Sequence, residues 1–355
     1  MAKIDDLVTN LENVWESPGF VTRRARMESD YGLYRMNPHD AGAGYQSYTS
    51  NAPRILADKI ISYLTNASMS VRVNMSATVA DRSPGSKKEK LAIGSLNLAD
   101  ERMQRIGQPT LREQLAFYSV LRGWYAGRAL LNKREDGSTY VDITPFDPLH
   151  CVYEMDDDGV IWLAHKTRRS PASVKAKYKI DVEPAIEKDG ELAGVDVWDY
   201  YDRDQHGIII AKGNDEYAWG KKLTKHNIKD VNGTSFAPIF LGAVGPSPWI
   251  QAETASDDTA RDFGESIFAS NRQLYDDLNF AMSAYKTLVR RAVKRPYKVI
   301  SPDGTTTLES DPSQDGSEVP LPAGTEIQLL EEVSMPVDAP AFVGIVSGEL
   351  QRGGL

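Results

Sequence analysis

The stretch from Glu265 to Lys294 constrains the fold of this 355-residue chain more than any other segment. Its apolar residues recur at steps of three, four or seven, the period of a helix with one apolar edge. They are Ile267, Leu274, Leu278, Ala281, Tyr285, Leu288 and Ala292, and Asn271 interrupts the series. We call this edge the seam. A helix of this length is roughly 45 Å long at 1.5 Å per residue, and so narrow an apolar edge needs other helices beside it.

The first third of the chain predicts helices of ordinary length. Apolar residues at helical spacing occupy three segments, residues 4–15, 51–67 and 91–106. Thr110 and Glu113 form the capping box of a further helix. Between these segments, MSVRVNM (69–75) alternates apolar and polar residues as a half-buried strand does. RSPGSKKEK (82–90) is polar and basic, and predicts a loop.

The middle of the chain predicts a β-rich block from Arg128 to about Ile210. Turn signals at 136–137, 156–159 and 202–207 separate its strands. NGTSFAPIFLGAVGPSPW (232–249) is dense in Gly and Pro, and predicts an elbow after the block.

The end of the chain predicts a small β insertion and a returning helix. After Pro296, the runs YKVI (297–300) and EIQLL (326–330) flank a loop rich in Ser, Asp and Gly. A helix then begins near Asp338 with Pro340 in its first turn. Together with the β-rich block, these elements predict an α+β fold.

Composition excludes several classes of function. The net charge of −9 argues against a protein that coats nucleic acid by bulk attraction. The single Cys151 excludes an internal disulfide and suits a reducing cytoplasm. The sequence has no phosphate loop, no GxSxG elbow and no HExxH, and its five histidines are scattered. We therefore expect no enzyme, no cofactor and no metal site.

Two groups of charged residues remain as candidates. The basic cluster at the end of the long helix reads either as a DNA or partner contact or as cations that stabilise a helix C-terminus. It consists of Arg290, Arg291, Lys294, Arg295 and Lys298. The run from Glu154 to Gly159 resembles a calcium loop without its end ligands, so a hairpin tip is the favoured interpretation. A metal-dependent hydrolase using Asp156 and Asp158 remains the alternative.

The order of these features resembles the portal, or head-to-tail connector, proteins of tailed bacteriophages. The resemblance covers most of residues 30–350. The segments that carry it are YTSNAPRILADKIISYL, LREQLAFYSVLRGWYAGRALLNKREDGSTYVDITPFDPLHCVYEMDDDG, VDVWDYYDRD, FAPIFLGAVGPSP and GESIFASNRQLYDDLNFAMSAYKTLVRRAVKRPYKVI.

The resemblance implies a division of the chain into the parts of a portal subunit. Residues 1–250 would be the wing, with its helices and β-rich block. Residues 251–295 would be the elbow and first stem helix, and residues 296–333 the clip. Residues 334–355 would hold the second stem helix and the start of the channel loop. The helical crown that follows in the family is absent from this sequence.

The resemblance also implies a function and a set of partners. The chain would form a ring, usually of twelve copies, that carries double-stranded DNA during packaging and ejection. The partners would be the terminase motor, the major capsid protein and the neck or tail adaptors. The ring would assemble in the host cytoplasm and end in the virion. Since no apolar run approaches the roughly 20 residues that span a bilayer, we expect no membrane partner. Another virion protein, such as a head-tail adaptor or a minor head protein, is the alternative.

Overall fold

The computed structural model is a mixed helix and sheet structure, in agreement with the α+β expectation. It divides into two compact units, the first formed by Met1–Gly32 and Ala57–Ile267 and the second by Leu33–Leu56 and Phe268–Leu355. The residues it describes are 4–67, 83–133, 137, 139–156, 159–182, 194–213, 216–229, 233–244, 264–293, 297–302, 304, 308, 321, 323–329 and 339–353.

The first 122 residues supply five helices in the described ranges. They are α1 (Ile4–Trp15), α2 (Pro18–Arg35), α3 (Ala52–Asn66), α4 (Ser83–Arg105) and α5 (Leu111–Arg122). The Thr110–Glu113 capping box at the start of α5 is confirmed, with both reciprocal hydrogen bonds formed. Gly123 ends α5 in the left-handed conformation.

The β-rich block of the first unit contains two antiparallel sheets. The strands are β1 (Trp124–Lys133), β2 (Thr139–Phe146), β3 (Cys151–Asp156), β4 (Gly159–Arg169), β5 (Val195–Asp202), β6 (Gln205–Gly213), β7 (Glu216–Lys225) and β8 (Ile239–Ala243). In the three-stranded sheet the order is β2-β1-β8, and in the five-stranded sheet it is β3-β4-β5-β6-β7. The expected hairpin at 154–159 is confirmed, because β3 pairs with β4.

The core of the first unit is layered because alternate residues of a strand face opposite sides of a sheet. On β4, Trp162 belongs to a cluster with Val8 and Leu11 of α1. The next residue, Leu163, belongs to a cluster with Ala126 and Phe146 of the three-stranded sheet. The five-stranded sheet is therefore covered by α1 on one face and by the smaller sheet on the other.

A partly buried ionic network links the two sheets. Arg128 on β1 donates hydrogen bonds to Asp199 at 3.0 Å and to the Tyr201 hydroxyl at 2.6 Å. It also pairs with Asp142, which accepts a second hydrogen bond from Arg102 of α4. Burial raises the pKa of the Asp199 carboxyl, although Arg128 opposes that shift. The network pairs each of these partly buried charges with an opposite charge.

The second unit contains a long helix, a strand pair and a returning helix. They are α7 (Arg272–Val293), β9 (Tyr297–Ile300) with β10 (Glu326–Leu329), and α8 (Ala339–Gly353). The strands pair antiparallel, so the β insertion expected after Pro296 is confirmed. The returning helix expected near Asp338 is confirmed as α8.

The structure corrects the predicted length of the long helix. It begins at Arg272 and not at Glu265, because residues 267–271 form a turn. The 22 residues of α7 make a helix about 33 Å long.

Other expectations are corrected in the first unit. Most of RSPGSKKEK lies in α4, where Pro84 stands in the first turn and Lys and Glu favour helix. The expected elbow contains β8, since Ile239 to Ala243 pair with β1. Two helices were not expected, α2 and α6 (Pro171–Tyr178). The strand expected at 69–75 lies outside the described residues.

Candidate subunit and nucleic-acid interface

The seam and the buried face of α7 lie on different sides of the helix. Successive helical residues are about 100° apart, so Ala281, Tyr285 and Leu288 lie roughly 140–160° around the helix from Ser283. Ser283 is completely buried, whereas Tyr285 is 42% exposed. Among the seam residues whose burial the structure describes, Leu278 alone is buried.

The buried face of α7 carries a row of small polar residues. Asn279, Ser283 and Thr287 are four residues apart, and each is less than a tenth exposed. We call these three residues the polar row. The Ser283 hydroxyl donates to the Asn279 carbonyl at 2.7 Å, and the Thr287 hydroxyl donates to the Ser283 carbonyl at 2.8 Å. The helix itself therefore takes the hydroxyl protons, and the oxygens remain available as acceptors.

Residues 39–50, which we call the strap, contact the polar row through residues 46–50. Their backbone amides donate at alternate positions: Gln46 to Thr287 Oγ1 at 2.7 Å, Tyr48 to Ser283 Oγ at 2.8 Å and Ser50 to Asn279 Oδ1 at 2.8 Å. Four helical residues rise about 6 Å, and two residues of an extended chain span about 6.6 Å. The two spacings match, so the strap runs antiparallel to α7 with one hydrogen bond per helical turn.

Other contacts hold the strap in this register. Lys286 donates through Nζ to the Ser47 carbonyl at 3.0 Å. The ring of Tyr45 contacts that of Phe280, with centroids 5.9 Å apart. Within the strap, Thr49 Oγ1 accepts from the His39 amide at 2.9 Å. The strap thus uses the backbone amides of its even residues to bind α7.

The returning helix α8 packs against α7 in the same unit. Asn271 donates through Nδ2 to the Leu350 carbonyl at 3.1 Å. Val346 is buried, whereas Phe342 and Ile345 are exposed. Burial raises the pKa of the Tyr275 hydroxyl, and a hydrogen bond with Asn271 opposes the shift. The second unit therefore has exposed apolar side chains on both helices, which are Phe280, Tyr285, Val289, Phe342 and Ile345.

The structure places three members of the expected basic cluster. Arg290 and Arg291 are exposed in the last turn of α7, and Lys298 is exposed on β9. None of the three forms an ion pair with the residues the structure describes. Lys294 and Arg295 lie outside those residues. Cations at this position stabilise the C-terminus of α7, and solvent-exposed guanidinium groups can also bind phosphate.

The carboxylates proposed for a hydrolase do not form a metal site in the described residues. Asp156 accepts two hydrogen bonds from Arg203, at 2.8 and 2.5 Å, so its oxygens are already engaged by a cation. Asp158 lies outside the described residues. Within the ranges described, no three His, Cys, Asp or Glu side chains are grouped to hold a metal ion.

The sequence reasoning missed the polar row and the strap. Their signal was present as three small polar residues at i, i+4 and i+8 on a helix that was otherwise interpreted through its apolar positions. The partner segment was not identifiable, because more than 220 residues separate the strap from the row.

No helix in the described ranges combines the length and the apolar character needed to cross a bilayer. Comparison with protein-family models and with curated proteins finds no match to this chain.

Proposed function

We propose that this chain is a structural ring subunit of a viral portal vertex, a channel for packaging and ejecting double-stranded DNA. The observation that carries the proposal is the division of α7 into two sides. The chain's own strap covers the polar side, and the seam side keeps exposed apolar surface at Tyr285. A helix covered in this way has its apolar side available to a neighbouring copy.

A closed ring requires two different surfaces on each copy, because its contacts are head-to-tail. The second unit offers two apolar surfaces, the seam side of α7 and the exposed side of α8 with Phe342 and Ile345. In the proposed ring, the first surface of one copy meets the second surface of the next. Burying such side chains supplies association energy in proportion to the apolar area removed from water.

The charge distribution supports a channel that DNA passes through. Each phosphate neutralised by a cation adds salt-dependent affinity, so many contacts would hold the DNA in place. The net charge of −9, with a few exposed cations at Arg290, Arg291 and Lys298, favours passage. In this proposal the clip comprises residues 296–333 and contacts the terminase motor. The capsid protein and the neck or tail adaptors are the remaining partners, and the virion is the final location.

The mass and shape of the purified full-length protein test the proposal. We expect multi-angle light scattering to give one large oligomer and negative-stain images to show rings with a central hole. Tyr285→Glu places a charge on the seam and should yield monomers. Tyr63→Glu makes the same change at an exposed tyrosine of α3 in the first unit, so it is the matched control and should leave the rings intact.

A stable wild-type monomer at micromolar concentration would overturn the proposal, and so would rings that persist in Tyr285→Glu. A discrete oligomer without a hole would instead support the adaptor or minor head protein alternative.

A further inference from the structure

The polar row recognises the strap almost entirely through the main chain. Three backbone amides and one carbonyl of the strap are bonded to α7. Among the described residues, Tyr45 is the one strap side chain whose ring contacts a ring of α7, and it remains 45% exposed. Between residues 41 and 50, only Ala41 and Ser50 are buried, and the others are exposed or half-buried. The attachment therefore depends mainly on hydrogen bonds of the main chain.

We propose that the strap is a releasable clamp on α7, and that the closed strap completes the surface on which a second copy of this chain docks. The inference deepens the ring proposal and rests on it for the identity of the docking partner. The first part of the proposal, that the strap opens while α7 stays folded, depends only on the hydrogen bonds between the strap and α7.

The strap is releasable because of how it is held. A hydrogen bond exchanged with water gives only a small net stabilisation. By contrast, α1 is held on the five-stranded sheet by Val8 and Leu11, which are almost completely buried. Segments held by few buried apolar contacts open locally, at a free energy below that of global unfolding. The strap amides should therefore exchange with solvent by strap opening while α7 stays folded.

The closed strap also determines which side chains are exposed on α7 between the polar row and the seam. Phe280 lies on that side and is 52% exposed, and the Tyr45 ring packs against it when the strap is closed. An open strap removes Tyr45 from Phe280 and uncovers Asn279, Ser283 and Thr287, so the surface loses one of its two aromatic rings and gains polar groups. A neighbouring copy that docks on the aromatic pair therefore selects the closed strap.

Hydrogen exchange at the amides of Gln46, Tyr48 and Ser50 tests the clamp. Thr287→Val keeps the shape of the side chain and removes the acceptor. It should raise exchange in peptides covering 44–52 by roughly three- to tenfold, the range that one net hydrogen bond supports. Thr287→Ser should restore protection.

Thr65→Val is the matched control for this substitution. The Thr65 hydroxyl of α3 donates to the Ile61 carbonyl of its own helix at 2.9 Å, as the Thr287 hydroxyl does in α7. Within the described residues it accepts no strap amide. The same chemical change at Thr65 should therefore leave exchange in the strap unaltered.

A second variant avoids any doubt about folding. Lys286 is exposed, so Lys286→Met removes its bond to the Ser47 carbonyl without touching the core. It should also raise strap exchange, while exchange in peptides of α7 stays unchanged. Strap amides that exchange only at the rate of the α7 amides, in wild type and variants alike, would show that the strap is an integral part of the fold and overturn the clamp.

Assembly of the same variants tests the link to docking. Thr287→Val and Lys286→Met should raise the protein concentration at which rings form, whereas Thr65→Val should leave it unchanged. If strap exchange rises and the assembly concentration does not move, the control of docking is overturned while the ring proposal stands. If wild type shows strap opening but never assembles, the ring proposal fails and the docking role of the strap fails with it.

Discussion

Gly123→Ala should destabilise the first unit more than a glycine substitution ordinarily does. Gly123 ends α5 with φ of 69°, a left-handed conformation that side chains other than glycine disfavour. A Cβ at this position would lie 2.4 Å from the carbonyl carbon of Glu265, which is backbone. The residues around Glu265 cannot move away easily, because the Ile267 amide donates to the Val120 carbonyl at 3.0 Å and Ser266 donates to buried Asp30 at 2.6 Å.

The magnitude is the sum of two effects. The left-handed conformation with a Cβ costs about 1–2 kcal/mol, and forcing an extra carbon into a packed backbone contact costs about 1–3 kcal/mol. The loss in unfolding free energy is therefore about 2–5 kcal/mol. For a unit of this size, each kcal/mol lowers the melting temperature by about 2–4 °C, so we expect a decrease of roughly 4–20 °C.

Two other glycines separate the two effects. Gly137 has φ of 82° but no atom near the position of its Cβ, so Gly137→Ala carries the conformational cost alone. Gly94 lies in α4 with open space around it, and Gly94→Ala should stabilise the protein by about 0.5–1 kcal/mol. Urea unfolding followed by circular dichroism gives all three values. If Gly123→Ala loses no more than Gly137→Ala, the contact with Glu265 does not constrain the fold as argued.

Three further variants test the packing of Leu11, the titration of His206, and the contribution of Arg290 and Arg291 to DNA binding. Leu11 is completely buried, so Leu11→Ala should lose about 2–5 kcal/mol in urea unfolding. Burial, with Lys221 nearby, lowers the pKa of His206 from 6.5 to about 4. Stability present above pH 6.5 is then lost as the pH falls toward 4, and His206→Gln should flatten that decline in melting temperature. Replacing Arg290 and Arg291 together by Gln should reduce the slope of log binding constant against log salt for DNA by roughly two per subunit.

The elements that were predictable are those whose signal is local. The capping box of α5 needs only Thr110 and Glu113, and both of its hydrogen bonds are formed. The β3–β4 hairpin follows from a turn between two apolar runs. In α1, Val8 and Leu11 are one turn apart and face the same cluster. In each case the residues that determine the structure lie within a few positions of one another.

The element α2 shows why the rest was not predictable. Its buried positions include Arg23 and Asp30, so its buried stripe is charged and has no apolar period. Arg23 donates to the Cys151 carbonyl at 2.7 Å and lies against the rings of Phe20, Trp124 and Tyr153. The hydrogen-bond partners of these charges, Cys151 for Arg23 and Ser266 for Asp30, come from distant parts of the sequence. A pattern search for apolar spacing finds no helix face in such a segment.

The same physics explains why the apolar seam of α7 was not its most buried side. A buried polar group is stable when all its hydrogen bonds are made. Ser283 meets that condition, since its hydroxyl donates to its own helix and accepts from the Tyr48 amide. The chain can therefore bury the polar row with its own strap at little penalty, whereas the seam needs an apolar surface. In the proposed ring only a second copy supplies that surface, so a seam mutation should change assembly and a polar-row mutation should change strap protection first.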